Sequence, residues 1–492
     1  MLHWFMRIYK SMLILLMMVA LTISMVQSGM HIFKDQDLIG YYVKNEPPSL
    51  KFFNWRRWFS GGFQDTISMR VKDNIGLRNT LIRLNNQFDY TLFGLIHAEG
   101  YVSGKQGALF QEDYIHEYTG KYFIGASVID KKLSRLRNVM DSLASYHVPL
   151  ILIFESGKAS IYPQYIPNRF HPGKRTMSNY DYFIAQSTKI GLPFLDINKY
   201  FMGIKDTCRY PLFPRYGTHW SMYGVQLVAD TLSKYIARVS GRTMPVFKVH
   251  HMHHSSLALG TDYEIGEILN LLCPLEPTPG IFPMVSFYAI PPGSISALIV
   301  ADSYYITLVQ SYGKKMFGKQ EFWYYNNKMY PNQNNNPPEY VDKSNLREKL
   351  IHRDMILLMS SEINLHCGFW NFADEAFMAF HPELQDPKVY GIENVIRNES
   401  SWFRVMVNQA RREGKPLQEI ITGNAGYSFY TNYNNLAGKN HQDSIYHIIM
   451  DIKYNPEWLA AVEKKAMDRN ISVDSMSLLD ALYTYEQSKK NH

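Results

Sequence analysis

Val148-Pro149-Leu150-Ile151-Leu152-Ile153-Phe154 is an uninterrupted apolar run. It is too short for a core helix and it does not alternate, so it reads as a strand covered on both faces. The flanking sequence supplies the cover. Lys131 to Tyr146 carries Leu133, Leu136, Val139, Met140 and Leu143 at helical spacing. Downstream, Asp181 to Ile190 reads as a helix, Pro193 to Ile197 as a strand and Tyr223 to Val239 as a helix. Ala297 to Val300 is a further strand, a helix follows from Ile306 to Phe317, and Met355 to Met359 is another apolar strand. Strands alternating with helices predict an α/β fold with a doubly wound, mostly parallel sheet. Ligands in such folds bind at the carboxyl ends of the strands.

The sequences on either side differ in character. Arg7 and Lys10 precede Met12 to Val26, a charge-free stretch followed by Gln27-Ser28-Gly29. Basic, apolar and polar in that order is the pattern of a signal anchor or signal peptide. The 15 residues from Met12 to Val26 fall short of a comfortable span, which takes about 20. No clear small-x-small cleavage site follows, which favours a retained anchor. The positive flank sets the N-terminus in the cytoplasm and the body outside. Asn74 to Phe93 reads as an amphipathic helix with Leu77, Leu81, Leu84 and Phe88 on its apolar stripe. Residues 331–338 (PNQNNNPP) read as a polar loop. Beyond residue 384 the pattern is helical and repeats. Ile396, Trp402, Ala410, Leu417, Ala425 and Tyr427 recur 56 positions later as Ile452, Trp458, Ala466, Val473, Ala481 and Tyr483. Each unit reads as a helical pair with a buried tryptophan. The expected organisation is an N-terminal signal segment over 1–33, an α/β domain over 34–383 and a helical extension over 384–492.

With 46% apolar and 19% charged residues, the 492-residue chain is no disordered protein. Its formal charge of +7 is spread in short groups, which gives no basic stripe for nucleic acid. Cys208, Cys273 and Cys367 are too scattered for a disulfide framework or zinc ribbon; one disulfide or three free thiols both fit. Gly-rich phosphate loops are missing, so no nucleotide cofactor is expected. His250, His251, His253 and His254 lack accompanying carboxylates, and a solvated linker is expected there rather than a metal site.

Ser303 follows a buried strand in Ala301-Asp302-Ser303 and precedes a helix, which sets a hydroxyl at the sheet's carboxyl edge. A serine needs a base to become a nucleophile, and His219 in Thr218-His219-Trp220-Ser221 is the candidate. Asn364, after the Met355–Met359 strand, is placed to complete an oxyanion hole. Lys158 and Tyr162, after the 148–154 strand, are candidates for holding a substrate hydroxyl or carboxylate, and Trp220 is a candidate substrate contact.

Together these segments resemble the AlgJ/AlgX-type alginate O-acetyltransferases, a branch of the SGNH hydrolase-like superfamily. The resemblance runs from about residue 60 to about residue 380. It is carried by Gly104-Lys105-Gln106-Gly107-Ala108-Leu109-Phe110, Lys158-Ala159-Ser160-Ile161-Tyr162-Pro163, Thr218-His219-Trp220-Ser221 and Ala301-Asp302-Ser303. The histidine motif precedes the serine motif, a circular permutation of the usual SGNH order. The resemblance implies a periplasm-facing enzyme that takes acetyl from a membrane-bound O-acyltransferase. It would pass the group through an acyl-serine at Ser303, with His219 as base, to polysaccharide hydroxyls. An acetyl esterase, or a non-catalytic glycan-binding or assembly subunit, remains an alternative. The family's Asp-Thr-His-Trp is Gly217-Thr218-His219-Trp220 here, so the acid that orients the imidazole is missing from its usual place. Asp196 and Asp262 are the candidate substitutes.

Overall fold

The computed structural model describes residues 2–40, 55–256, 260–276, 279–288, 295–330, 339–384, 386–436 and, discontinuously, 448–484. Helix α1 (Leu2–Met30) is followed by α2 (Trp55–Phe59), α3 (Gly62–Asn74) and α4 (Arg78–Phe93). Within α1, Met6–Met30 is long and apolar enough to cross a membrane. The helix extends past both ends of the 15-residue apolar stretch, and at 1.5 Å per residue it exceeds the roughly 30 Å of a hydrocarbon core.

Next come the short antiparallel pair β1 (Tyr101–Ser103) and β2 (Leu109–Gln111), then α5 (Glu112–Tyr118) and α6 (Ala126–Ala144). The main sheet begins at β3 (Leu150–Glu155), which leads to α7 (Lys158–Ile161), α8 (Asn179–Lys189), β4 (Phe194–Asp196), α9 (Ile197–Ile204) and α10 (Met222–Ser240). Strand β5 (Val246–Ser255), α11 (Glu264–Ile268) and β6 (Gly280–Tyr288) form an antiparallel arm. Strand β7 (Ser296–Ala301), α12 (Tyr304–Leu308), α13 (Lys314–Met316), β8 (Lys319–Tyr324), β9 (Lys328–Tyr330), α14 (Leu346–Ile351) and β10 (Met355–Ser361) complete the sheet. The strand order is β4-β3-β10-β7-β8-β9, parallel except for the edge strand β9. This is the expected doubly wound α/β architecture.

The central strands show why their sequences do not alternate. Ile151 and Ile153 of β3 enter one core with Ala297, Ile299, Leu357 and helix α10. Leu150, Leu152 and Phe154 enter the opposite core with Leu298, Val300, Ile356, Leu358 and helix α6. All six β3 residues are buried, and each large side chain contributes about 1.5–3 kcal/mol. β10 sits centrally, so its carboxyl end and that of β7 meet at Ser361 and Asp302.

Helices α15 (Phe372–Phe380), α16 (Lys388–Asn398), α17 (Ser400–Glu413), α18 (Leu417–Leu436) and α19 (Pro456–Asp468) follow the sheet. Ile396, Phe403, Met406, Ala410, Leu417 and Ala425 share the α6-side core, whereas Ile452, Val462, Ala466, Met476 and Ala481 form a small core of their own. The two repeat units therefore match in pattern and differ in what they pack on. Trp402 and Trp458 are half-buried rather than buried, because Phe403 takes the innermost position in the first unit.

One expectation is corrected. The histidines 250, 251, 253 and 254 lie on strand β5 rather than in a linker, with His250 bonded to Ser286 and His254 to Tyr210. Helix α4 forms, but its stripe faces outward: Leu81, Leu84 and Phe88 are exposed, while Asn86 is buried. The 331–338 loop lies outside the described residues. All three cysteines are free thiols.

Candidate active site

Strand β7 ends at Ala301, and Asp302 is pinned at once by its neighbours. Its Oδ1 accepts the Tyr304 N–H at 3.0 Å; its Oδ2 accepts the Ser361 N–H at 2.9 Å and hydroxyl at 2.6 Å. The turn thus fixed presents Ser303 in helical backbone geometry, with its side chain making no cap bond. The Ser303 hydroxyl instead meets Nε2 of His219 at 2.8 Å. Nδ1 of His219 is 2.8 Å from Oε1 of Glu264. A carboxylate on Nδ1 leaves Nε2 free to accept the serine proton. The structure thus joins Ser303 and His219, and it supplies the orienting acid from Glu264, a residue the sequence reading passed over.

Glu264 is held by the segment it serves. Its Oε1 also accepts the N–H groups of Thr218 at 2.7 Å and His219 at 3.2 Å. In return the Tyr216 carbonyl accepts the N–H groups of Ile265 and Gly266, at 2.9 and 3.2 Å. Burial pushes the Glu264 carboxyl up, but the His219 bond and charge and the two backbone donors outweigh it and hold the group below its usual range. Gly217 lies inside this clasp. A Cβ there would stand 2.1 Å from the Thr261 carbonyl oxygen. The residue that lacks the family's aspartate is therefore the one that lets the 260–266 segment approach closely enough to deliver a glutamate.

Neither candidate substitute reaches the imidazole. Asp196 caps α9 through the Lys199 N–H and accepts the Tyr180 hydroxyl. Asp262 faces a different cavity; burial, with the charge of Glu264, pushes it up to about 7.

A small cleft of about 120 Å³ opens over the Ser303–His219 pair, lined also by Tyr101, Gln111, Tyr325 and Asn364. Asn364 is in the cleft, but its amide donates to Asp302 Oδ2 at 2.8 Å and Ser361 Oγ at 3.1 Å. It buttresses the serine turn in this state, and an oxyanion role requires it to leave those partners. Tyr325 was not foreseen. It sits with Asn326 at the centre of the β8–β9 turn, both at positive φ (52° and 51°). Positive φ is a conformation that favours Gly or Asn. A tyrosine there is strained, and strain of this kind clusters at functional sites.

The three other candidates lie outside this cleft. Lys158 is buried, and its ammonium donates to the carbonyls of Leu109, Arg215 and Gly217 at 2.7, 2.9 and 3.0 Å. It fastens β2 to the histidine segment, and burial pushes it down to about 7. Tyr162 accepts the Leu212 N–H and, with Lys158, lines a neighbouring cavity of about 530 Å³ that also includes Tyr165, Lys205, Arg209 and Tyr210. Trp220 is wholly buried; its indole N–H donates to Thr307 at 3.0 Å and its ring packs edge-on against Tyr304. It wedges under the serine turn and does not face the cleft. Among the described residues no cluster of three or more histidine, cysteine or acidic side chains could hold a metal.

A serine ahead of a short helix, a base from an earlier segment and a parallel sheet whose carboxyl edge gathers both define an SGNH hydrolase-like domain with its motif order permuted. Residues 102–258 match the family model "SGNH hydrolase-like domain, acetyltransferase AlgX". The match contains His219 and stops short of Glu264 and Ser303. Similar solved structures include the O-acetyltransferase domain of Pseudomonas putida AlgJ, at 17% identity and TM-score 0.35, covering 54% of this chain and 92% of that one. Pseudomonas aeruginosa AlgX is similar at 12% identity and TM-score 0.37, over 57% of this chain and 67% of that one. Bacillus cereus PatB1 is similar at 10% identity and TM-score 0.35, over 53% and 95%. No curated protein matches the chain.

Proposed function

We propose that the protein is an O-acetyltransferase that moves acetyl onto hydroxyls of an exported or cell-envelope polysaccharide through an acetyl-Ser303 intermediate. The observation that carries this reading is the continuous Glu264–His219–Ser303 hydrogen-bond chain at the cleft floor, in a chain whose residues 102–258 match an acetyltransferase family model. Ser303 Oγ attacks the acetyl carbonyl as His219 Nε2 takes its proton, and the donor's leaving group departs with that proton. The acceptor hydroxyl then attacks the acetyl-serine, gives its proton to His219, and Ser303 leaves with it. Glu264 stabilises the imidazolium formed in each half. The phenols of Tyr101 and Tyr325 line the cleft where the oxyanion develops.

In this reading residues 1–33 anchor the protein in the inner membrane, with residues 34–383 on the periplasmic side as the acetyltransferase domain and 384–492 as its helical extension. A membrane-bound O-acyltransferase supplies the acetyl group. The larger cavity beside the cleft, with the rings of Tyr162, Tyr165 and Tyr210 and the charges of Lys205 and Arg209, offers the acceptor chain a place to continue.

The test is covalent labelling of the full chain in detergent with p-nitrophenyl acetate. Intact mass and peptide mapping should find one acetyl group on Ser303, and none in folded Ser303→Ala or His219→Ala. An oligosaccharide acceptor should speed loss of the adduct and become acetylated. No adduct on a folded wild-type protein would overturn the reading. An adduct that decays at one rate with or without acceptor would make the protein an esterase.

A further inference from the structure

Helix α4 is turned inside out. Leu81, Leu84, Phe88 and Leu92, spaced by three, four and four, form one stripe, and each is 44–58% exposed. The opposite, polar face is the one that meets the protein. Asn86 is buried and donates to the carbonyl of Leu269 at 3.0 Å, and Gln87 accepts the Cys273 N–H at 2.9 Å. A helix that holds its body through amides and shows its leucines outward is built to be covered by something apolar.

The position of α4 indicates what covers it. The turn before it is locked to the end of α1. The Gly76 N–H donates to Ser28 Oγ at 2.6 Å, and a Cβ at Gly76 would stand 2.5 Å from both Gln27 Cβ and the Ser24 carbonyl oxygen. Asp35, just beyond α1, caps the first turn of α4 by accepting the Asn79 and Thr80 N–H groups at 2.8 and 3.0 Å. Helix α4 therefore starts where the apolar α1 stops. The residues from Trp55 to Phe93 carry six basic side chains against three acidic ones. Trp55, Trp58 and Phe59 add exposed aromatic rings on α2, a residue type enriched at membrane–water boundaries.

We propose that α2–α4 form a collar lying in the surface of the bilayer that α1 crosses, with the Leu81–Leu84–Phe88–Leu92 stripe sunk to the headgroup–acyl boundary of an anionic leaflet. The inference rests on reading α1 as a membrane anchor. Apolar burial along the stripe and attraction of the segment's net positive charge to anionic headgroups act together. The collar holds the catalytic body at a set height and orientation over the membrane.

The experiment uses the full chain in nanodiscs of phosphatidylethanolamine and phosphatidylglycerol, in a Cys208→Ser/Cys273→Ser background. Single cysteines at Leu84→Cys or Phe88→Cys carry an NBD fluorophore, with lipids doxyl-labelled near the headgroup as quenchers. Leu16→Cys reports α1 against lipids doxyl-labelled deep in the chain, and Lys234→Cys reports open solvent. The expected result is at least twofold more quenching at positions 84 and 88 than at 234, reduced when phosphatidylcholine replaces the anionic lipid. Quenching at 16 with none at 84 or 88 overturns the collar alone, and assigns the stripe to a protein partner. No quenching at 16 overturns the anchor and the collar with it.

Discussion

Replacing Glu264 tests the site most sharply, because one oxygen of its carboxylate does three jobs. Oε1 accepts from His219 Nδ1 at 2.8 Å, the Thr218 N–H at 2.7 Å and the His219 N–H at 3.2 Å. Glu264→Gln can keep an oxygen at that point, since all three partners donate. The Thr218 and His219 N–H groups select the amide oxygen over its NH2 at that point, which keeps the tautomer and removes only charge; an NH2 turned toward Nδ1 would instead give the wrong tautomer, a defect of about 10⁴ in serine-protease triads. A hydrogen bond to a charged group contributes about 1.5–3 kcal/mol and a neutral one about 0.5–1.5. The loss of roughly 1–2 kcal/mol corresponds to about 5–30-fold in acylation rate. Glu264→Ala removes the acceptor altogether. The imidazole then loses its acceptor and its fixed orientation, and removal of the acid from a subtilisin-type triad costs about 3 × 10⁴. The assay is single-turnover release of p-nitrophenol from p-nitrophenyl acetate, with the acetyl adduct followed by intact mass. The expected order is wild type, then Gln, then Ala, with Ala at least tenfold below Gln. An Ala variant within tenfold of wild type would refute the assignment of Glu264 as the positioning residue.

Gly217→Ala drives a methyl into the Thr261 carbonyl, 2.1 Å away, and Pro214 Cγ at 2.7 Å. The backbone must yield, at about 1–3 kcal/mol of stability. Acylation should fall toward the Glu264→Ala rate in a protein that still folds; an unchanged rate would mean that the clasp does not position the acid. Asp374, buried between α6 and α16, accepts from Lys132 at 3.0 Å, Arg135 at 2.6 Å and Asn394 at 3.0 Å. Asp374→Ala leaves the wholly buried Lys132 without its counter-charge, and urea unfolding should show a loss of about 3–5 kcal/mol; a loss below 1 kcal/mol would contradict this. Glu362 is pushed up to about 8 by burial, against opposing bonds from Ser160 and the Gly157 N–H. A carboxyl raised on folding favours the native state at low pH, and that contribution disappears as pH rises from its usual 4.5 through about 8. Melting temperature should therefore decline across this window in the wild type and less steeply in Glu362→Gln; parallel profiles would place the titration elsewhere.

The outcome at Gly217 marks the limit of what the sequence could disclose. The sheet was legible because its strands are buried on both faces, and burial writes itself into composition: Leu150 to Phe154 can be nothing but apolar when odd and even residues enter two different cores. The Ser303–His219 pair was legible because each residue is marked by local context, a strand end or a helix start. Glu264 depends on neither. It lies 45 residues from His219 and reaches it through a backbone clasp whose partners are carbonyls and N–H groups, which every residue has. Its one trace in the sequence is an absence, the missing side chain at Gly217, a space that the Thr261 carbonyl fills. Helix α4 follows the same logic from the other side. The period of Leu81, Leu84 and Phe88 correctly announced an amphipathic helix, but periodicity gives a face and not a direction. The direction was set by Asn86, whose buried amide satisfies the Leu269 carbonyl after α11, with Gln87 accepting the Cys273 N–H at the exposed margin. Long-range backbone satisfaction thus decided both the acid of the active site and the outward turn of α4. A reading that counts side chains can find such features only where one is missing or faces the wrong way.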